Sequence, residues 1–258
     1  MRILFIGDIV GRPGRDVTKR LLAPLKEKEK IDCIIANGEN AAGGSGLTPK
    51  ITEELFDNGI DVMTSGDHIW KKREIYDVLN TTTKLVRPAN YPEGSPGLGS
   101  TVIDVPSCGK IGVINLIGRV FMEAVDCPFK GVDAEIKKIK DKTSVIIVDM
   151  HAEATSEKVA MGWYLDGRVS AVLGTHTHIQ TADEKILPKG TAYLTDCGMT
   201  GPYDSVIGRN KDNIIQRFLT QLPTRFEMAT GNVEMHGAMI DIDDKTGKAA
   251  SIRRIQES

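Results

Sequence analysis

Short apolar runs that stop at a glycine and a side chain able to bind metal restrict this chain more than any other feature. Residues Arg2–Ile6 read RILFI and are followed by Gly7-Asp8. Residues 33–36 lead to Gly38-Glu39-Asn40, and residues 61–64 to Gly66-Asp67-His68. Such runs fit strands buried on both faces. Helical patterns separate them, over residues 16–30 and from the Thr48-Pro49 cap to about Gly59. Alternation of this kind argues for βαβ units and a largely parallel sheet covered by helices.

The middle of the chain changes character. Residues 87–100 are rich in Pro and Gly and read as a long loop. Residues 101–105 and 110–116 flank Pro106-Ser-Cys-Gly109, a hairpin pattern. The α/β pattern then resumes, with helices at 132–142 and 157–165 and strands at 144–148, 169–173 and Ala192–Leu194. A second hairpin, Val233–Ile242 with 249–255, closes around Asp243–Gly247. With no repeat, low-complexity tract or linker, residues 1–258 are expected to form a single domain. It should contain two sheets, because a parallel set and several hairpins seldom share one.

Polar groups collect at the strand ends. Asp8, Glu39 with Asn40, Asp67 with His68, His151, and His176 with His178 end five successive strands. In open α/β sheets, ligands bind at the carboxyl ends of the strands. Each element alone has an ordinary structural reading. Asp after a strand is usually a cap or turn residue, GDH suits a type II turn, and a lone His is often a satisfied core residue. The pair in GTHTHIQ is stronger, because alternate strand residues share a face. The coincidence carries the weight: four of the five histidines and three carboxylates fall at strand termini. His236, inside VEMHGAMID, is assigned a structural role. This donor set exceeds what one tetrahedral ion needs and suits two ions sharing a carboxylate and a hydroxide. Mixed oxygen and nitrogen donors without thiolate favour manganese, iron or zinc. Two such ions serve phosphoester hydrolysis.

Composition narrows the alternatives. The net charge of −2 argues against stable nucleic-acid binding, which needs a clustered cationic face. The Lys- and Glu-rich runs read as solvated helix faces. Four scattered cysteines without a CxxC pair suggest neither a disulfide framework nor a zinc ribbon, and no apolar run approaches a membrane span. A reducing cytoplasm is the expected location, with self-association left open. Gly7, Gly11 and Gly14 miss the GxGxxG spacing of a dinucleotide site. The glycines at 43–46 could offer amides to a phosphate, but read better as a loop before the Thr48 cap. Asp204 and Ser205 lack a GxSxG context and fit loop bracing or an interface.

The series GD, GEN, GDH, a lone His and GTHTH resembles the metal-binding motifs of calcineurin-like metallophosphoesterases. MRILFIGDIVGRPGR, ANGENAAGGSGLT, SGDHIW and TDCGMTGPYDSVIG resemble, more narrowly, the bacterial YmdB-type 2′,3′-cyclic-nucleotide phosphodiesterases. The resemblance spans the whole chain. It implies two packed central β-sheets flanked by helices, an αββα sandwich. It also implies two metal ions, iron or manganese, with zinc as a further option. Asp8, Glu39, Asn40 and His178 would surround one metal. Glu39 would bridge to a second, held also by Asp67, His151 and His176. His68 would be the general acid during attack by a metal-bridging hydroxide on a small nucleotide substrate.

One position departs from the pattern, because Asp67 stands where the family has Asn. Two divalent ions, a hydroxide, Asp8 and Glu39 leave a charge of about +1, and ionised Asp67 brings this to about zero. The extra carboxylate would favour a ferric–divalent pair or weaken the pull on an anionic substrate, unless Asp67 simply substitutes for Asn as an oxygen donor with little consequence. The alternative function is therefore a metal-bound nucleotide sensor with little turnover. An amidohydrolase also uses HxH, but that pair ordinarily follows the first strand, which here ends in Asp8.

Overall fold

The computed structural model describes residues 1–106 and 108–258. The chain begins in one sheet with β1 (Arg2–Ile6), β2 (Asp8–Ile9), β3 (Cys33–Asn37) and β4 (Val62–Thr64). It then builds a second sheet from β5 (Ser100–Val105), β6 (Gly109–Ile117), β7 (Val145–His151), β8 (Ala171–Thr175), β9 (Lys185–Ile186) and β10 (Ala192–Leu194). Finally it returns to the first with β11 (Met199–Pro202), β12 (Val233–Ile242) and β13 (Ala249–Glu257). The first sheet runs β2-β11-β12-β1-β3-β4, with β13 on the other side of β12. The second runs β5-β6-β7-β8-β10-β9. Each has a parallel heart, β1-β3-β4 and β6-β7-β8-β10, bordered by antiparallel strands. The hairpin expected across residues 106–109 pairs as β5 and β6, and its residue 107 lies outside the described residues.

Period-two alternation along buried strands explains why two sheets stack. Ile3 and Phe5 of β1 point into a core shared with Val113, Ile147 and Leu173 of the other sheet. Leu4 and Ile6 point the opposite way, against Val17, Leu22 and Leu55 of the helices. On the far side, Ile114, Leu116 and Val148 pack on Val132, Ile136 and Met161. The result is helices, sheet, sheet, helices, as expected. Phe5 has no exposed surface, so truncation to Ala would cost about 3–5 kcal/mol.

The helices depart from expectation at their starts. α1 (Gly11–Glu29) begins five residues earlier than the sequence pattern suggests. Val10 offers no side-chain cap, so the start lacks a polar signature. Backbone bonds hold it instead, from Gly11 N to Asn40 O (2.9 Å) and Gly14 N to Val10 O (3.1 Å). α2 (Pro49–Asp57) starts where Thr48 caps Ile51 N. A single 3-10 turn (Asp67–Lys71) and α3 (Ile75–Thr81) follow β4. α4 (Pro128–Ile139) begins four residues early, with Pro128 in the first turn where no N–H is needed, and ends three early. α5 (Thr155–Leu165) leads into β8, and α6 (Lys211–Thr220), capped by Asn210, has no clear sequence signature. No helix among the described residues is long and apolar enough to cross a membrane.

Candidate metal centre

The carboxyl ends of β1, β3, β4, β7 and β8 bring their terminal side chains together, although they belong to different sheets. Glu39, Asp67, His151 and His176 each offer a ligand atom, and these atoms all lie within 4.8 Å of one another. His151 Nε2 is 3.1 Å from Asp67 Oδ1 and 3.4 Å from Glu39 Oε1. His176 Nδ1 lies 3.1 Å from His151 Nε2. Two imidazole nitrogens facing each other between two carboxylates require a proton or a cation among them, so the donor set fits a divalent metal. Gly66 makes room for it, since a Cβ there would sit 2.2 Å from His151 Nε2 and 2.4 Å from Glu39 Oε2.

The remaining predicted residues lie beside this group. Asn40 Nδ2 is 2.9 Å from Glu39 Oε1, 3.2 Å from His178 Nε2 and 3.4 Å from Asp8 Oδ1. In this orientation Asn40 presents nitrogen to that group and oxygen to His68 Nδ1, 2.9 Å away, so ligation by its oxygen requires a half-turn of the amide. Asp8 Oδ2 accepts from the backbone N–H of His176 (3.1 Å), and Asp8 Oδ1 is 3.8 Å from His178 Nε2. His68 is anchored twice on Glu39, through its N–H to Oε2 (3.0 Å) and its Nδ1 near Oε1 (3.2 Å). A cleft of about 270 Å³ opens over Glu39, Asn40, His68, His176, His178 and Arg209.

One local expectation is overturned. His176 and His178 do not occupy alternate positions of a strand, because β8 ends at Thr175. They lie in a turn, with φ of 99° and 65°, where a side chain crowds its own backbone. Three hydrogen bonds impose that shape. Asp8 takes the N–H of His176, Asp196 Oδ2 takes that of Thr177 (3.1 Å), and the carbonyl of Ile207 holds His178 Nδ1 (3.0 Å). Ser205 braces the turn that presents Ile207, accepting from Gly208 N (2.8 Å) and donating to Pro202 O. The glycines at 43–46 form a closed turn, with Ala42 N bonded to Gly46 O (2.9 Å) and Gly44 N to Asn40 O (3.0 Å).

Orientation of the ring of His151 comes from residues outside the motif series. Thr175 Oγ1 donates to Asp149 Oδ1 (2.7 Å), so its lone pair receives His151 Nδ1–H (2.9 Å) and leaves Nε2 facing the donor cluster. Burial pushes the Asp149 carboxyl up to about 6, against the donors Thr64 and Thr175 and the nearby His151. Burial also opposes charge on Glu39 and Asp67, yet the surrounding imidazoles hold both carboxylates well below the usual range. The bond from Glu39 raises His68 against its own burial. Glu153 Oε2, 3.1 Å from His176 Nε2, orients the last ring. Asp149 could have been suspected, since it stands two residues before His151 on the same strand. Glu153, Lys158, Asp196 and Arg209 carry no local signal. His236 packs away from the cluster, stacked on Tyr203 at 4.1 Å.

The whole chain is similar to proteins already described. The model of the YmdB-like protein family matches residues 4–255. A 2′,3′-cyclic-nucleotide 2′-phosphodiesterase of Bacillus subtilis (strain 168) is 56% identical over 256 residues, covering 99% of this chain and 96% of that protein. A crystal structure of a hypothetical protein from Thermus thermophilus superposes with a TM-score of 0.92 at 40% identity, covering 100% of both chains. That of a novel phosphatase from Mycoplasma pneumoniae gives 0.92 at 37% identity, covering 99% of this chain and 92% of the other. With these matches running the length of the fold described above, the chain belongs to the YmdB-like family.

Proposed function

We propose that this chain is a two-metal phosphodiesterase that opens 2′,3′-cyclic nucleotides. The observation that carries the reading is the gathering of three carboxylates, an amide and four imidazoles around one cleft, in a chain 56% identical to an enzyme of that name. Glu39, Asp67, His151 and His176 would hold one ion, and Asp8, Glu39, Asn40 and His178 the other. Iron or manganese suits these donors, with zinc also compatible. Bound there, the ions would supply an acidified water and neutralise phosphoryl oxygens.

The chain's own groups support the remaining chemistry. His68 lines the cleft with its ring partly exposed, its Nδ1 bonded to Asn40 Oδ1 and its Nε2 3.6 Å from Asp67 Oδ2, so Nε2 is the nitrogen that would protonate the departing ribose oxygen. Glu39 grips both the backbone N–H of residue 68 and, at 3.2 Å, the ring's Nδ1, which together hold the ring at the cleft. Asp149 and Thr175 keep His151 Nε2 turned to the cluster. Arg209, on the cleft wall, adds a cation facing an anionic substrate. Incubating metal-loaded protein with 2′,3′-cyclic AMP and resolving the products by chromatography tests the reading. Conversion to 3′-AMP is expected. Tight nucleotide binding without product would instead favour a sensor.

A further inference from the structure

A second groove, of about 1030 Å³ and nearly four times the volume of the metal cleft, runs alongside it. Arg12, Arg15 and Arg20 of α1 line it together with Lys72, and Asp16 is the one acidic residue in its lining. Arg15 is engaged with Glu54 Oε1 (3.1 Å) and Ala41 O (2.7 Å). Arg12 meets Asp16 at 3.4 Å, an exposed and therefore weak pair. Among the described residues, Arg20 and Lys72 have no ion-pair partner. These cations are up to 60 positions apart in sequence, so a near-neutral composition hid their clustering.

The groove and the cleft share a wall. Ala42 and Gly43 line the groove, while Gly44 lines the cleft. Gly43 has φ of 66°, and a Cβ there would meet nothing within 4 Å, so the ridge between the two spaces is bare. Arg209 sits at the crossing. Its Nη2 donates to Gly44 O (2.7 Å), and its Nη1 is 3.7 Å from the sulfur of Met228, a groove residue. A cation thus stands at each stage from the cleft, over the ridge, into the groove.

We propose that the groove holds the upstream phosphates of a short single-stranded ribonucleotide chain whose 2′,3′-cyclic phosphate end enters the cleft. The inference rests on the phosphodiesterase reading and extends its substrate class from mononucleotides to RNA 3′ ends. Cyclic phosphates arise when a ribose 2′-oxygen attacks the adjacent phosphorus and expels the 5′-oxygen, so any end longer than one nucleotide carries phosphates behind it. A cationic groove tracking a backbone, without base readout, suits such a strand. The bond chemistry is unchanged. A water oxygen bonds to phosphorus, the bond from phosphorus to O2′ breaks, and O2′ takes a proton, leaving a 3′-phosphate.

The test compares metal-loaded protein acting on 2′,3′-cyclic AMP and on a pentaribonucleotide ending in a 2′,3′-cyclic phosphate. Fluorescence anisotropy follows binding of the same pentamer bearing a 3′-phosphate, which is not consumed. At low salt the cyclic pentamer should show kcat/KM at least about tenfold above cyclic AMP. Affinity for the 3′-phosphate pentamer should fall with salt at a log–log slope of about −2, as roughly three phosphate contacts require. The double variant Arg20→Glu with Lys72→Glu should abolish that advantage and leave cyclic AMP turnover unchanged, and Arg20→Gln with Lys72→Gln should do so partially. A pentamer no better than cyclic AMP, or variants that slow both equally, overturns the groove but not the phosphodiesterase reading. If neither substrate turns over, that reading fails. Binding still decides the groove: salt-sensitive binding lost on charge reversal supports it, and no such binding overturns it.

Discussion

Lys158 and Asp196 form a buried ion pair beside the donor cluster, with Nζ 2.6 Å from Oδ2 and each side chain about 1% exposed. Lys158 Nζ also donates to Thr175 O (2.7 Å), and Asp196 Oδ2 accepts from Thr177 N (3.1 Å) and Oγ1 (2.8 Å). The pair therefore clamps both neighbours of His176 in the turn where His176 and His178 hold positive φ. Residues held in this way cost of order 1–3 kcal/mol each, and a rigid support underneath keeps them there. Lys158→Met should lower stability by about 3–5 kcal/mol, because it leaves a buried charge unpaired. Lys158→Met with Asp196→Leu should regain much of that stability yet bind metal poorly. Urea unfolding and elemental analysis of the same samples separate the two effects, and full metal content in the double variant would show that the clamp does not position the turn.

His68→Ala should reduce kcat by about 10²- to 10⁴-fold, the usual contribution of a general acid. Metal stoichiometry should remain that of the parent, since the backbone N–H of residue 68 keeps its 3.0 Å bond to Glu39 when the ring contact at 3.2 Å is lost. Loss of metal in the variant would make His68 a ligand.

Asp67→Asn should raise the net charge of the loaded site by about one unit. With the metals unchanged, tighter binding of inorganic phosphate and faster turnover are expected; a shift from a ferric–divalent to an all-divalent pair would instead cancel the gained charge and leave phosphate affinity as it was. Elemental analysis, visible absorption and steady-state rates check this. Identity with the parent in all three disposes of the charge argument.

Gly66→Ala forces a methyl group to within 2.2 Å of His151 Nε2 and 2.4 Å of Glu39 Oε2. Both side chains are fully buried, so relief has to come from displaced ligands. Metal titration followed by calorimetry should show the cluster's affinity falling at least about tenfold, in line with disturbance of ligand orientation. Unchanged affinity would mean that the backbone shifts freely at this point.

Burial lowers the pKa of His236 although Glu234 Oε2, 2.7 Å from its Nε2, favours the charged form. The unfolded chain then binds the proton more readily than the folded one below about pH 6.5. Folding stability should fall as pH drops through that value towards the lower folded pKa. His236→Gln should flatten this part of the stability–pH curve, measured by denaturant midpoints between pH 7 and 5. An unchanged slope would assign the acid sensitivity elsewhere.

Much of the architecture was legible because buried strands leave a periodic trace. Runs such as ILFI of β1, VIIV of β7 and AVL of β8 are apolar on both faces, and that burial forces them between layers. The ends of α1 and α4 were misplaced because backbone bonds and a proline, not polar caps, start them. β2, β9 and β11, of two to four residues, are too short to show a period, and α6 exposes most of its surface.

By itself, the sequence determined which residues would end the strands and which donor types they would bring, since Asp8, Glu39, Asp67, His151 and the HTH pair are read directly from local pattern. Tertiary structure alone decided how those groups face one another. The φ of His176, the ring orientation of His151 and the Lys158–Asp196 clamp each depend on atoms from segments far apart in the chain. The same holds for the cations of the neighbouring groove. Periodicity is written along the chain, whereas a buried hydrogen bond or a local electric field arises only when distant segments are packed and water is excluded.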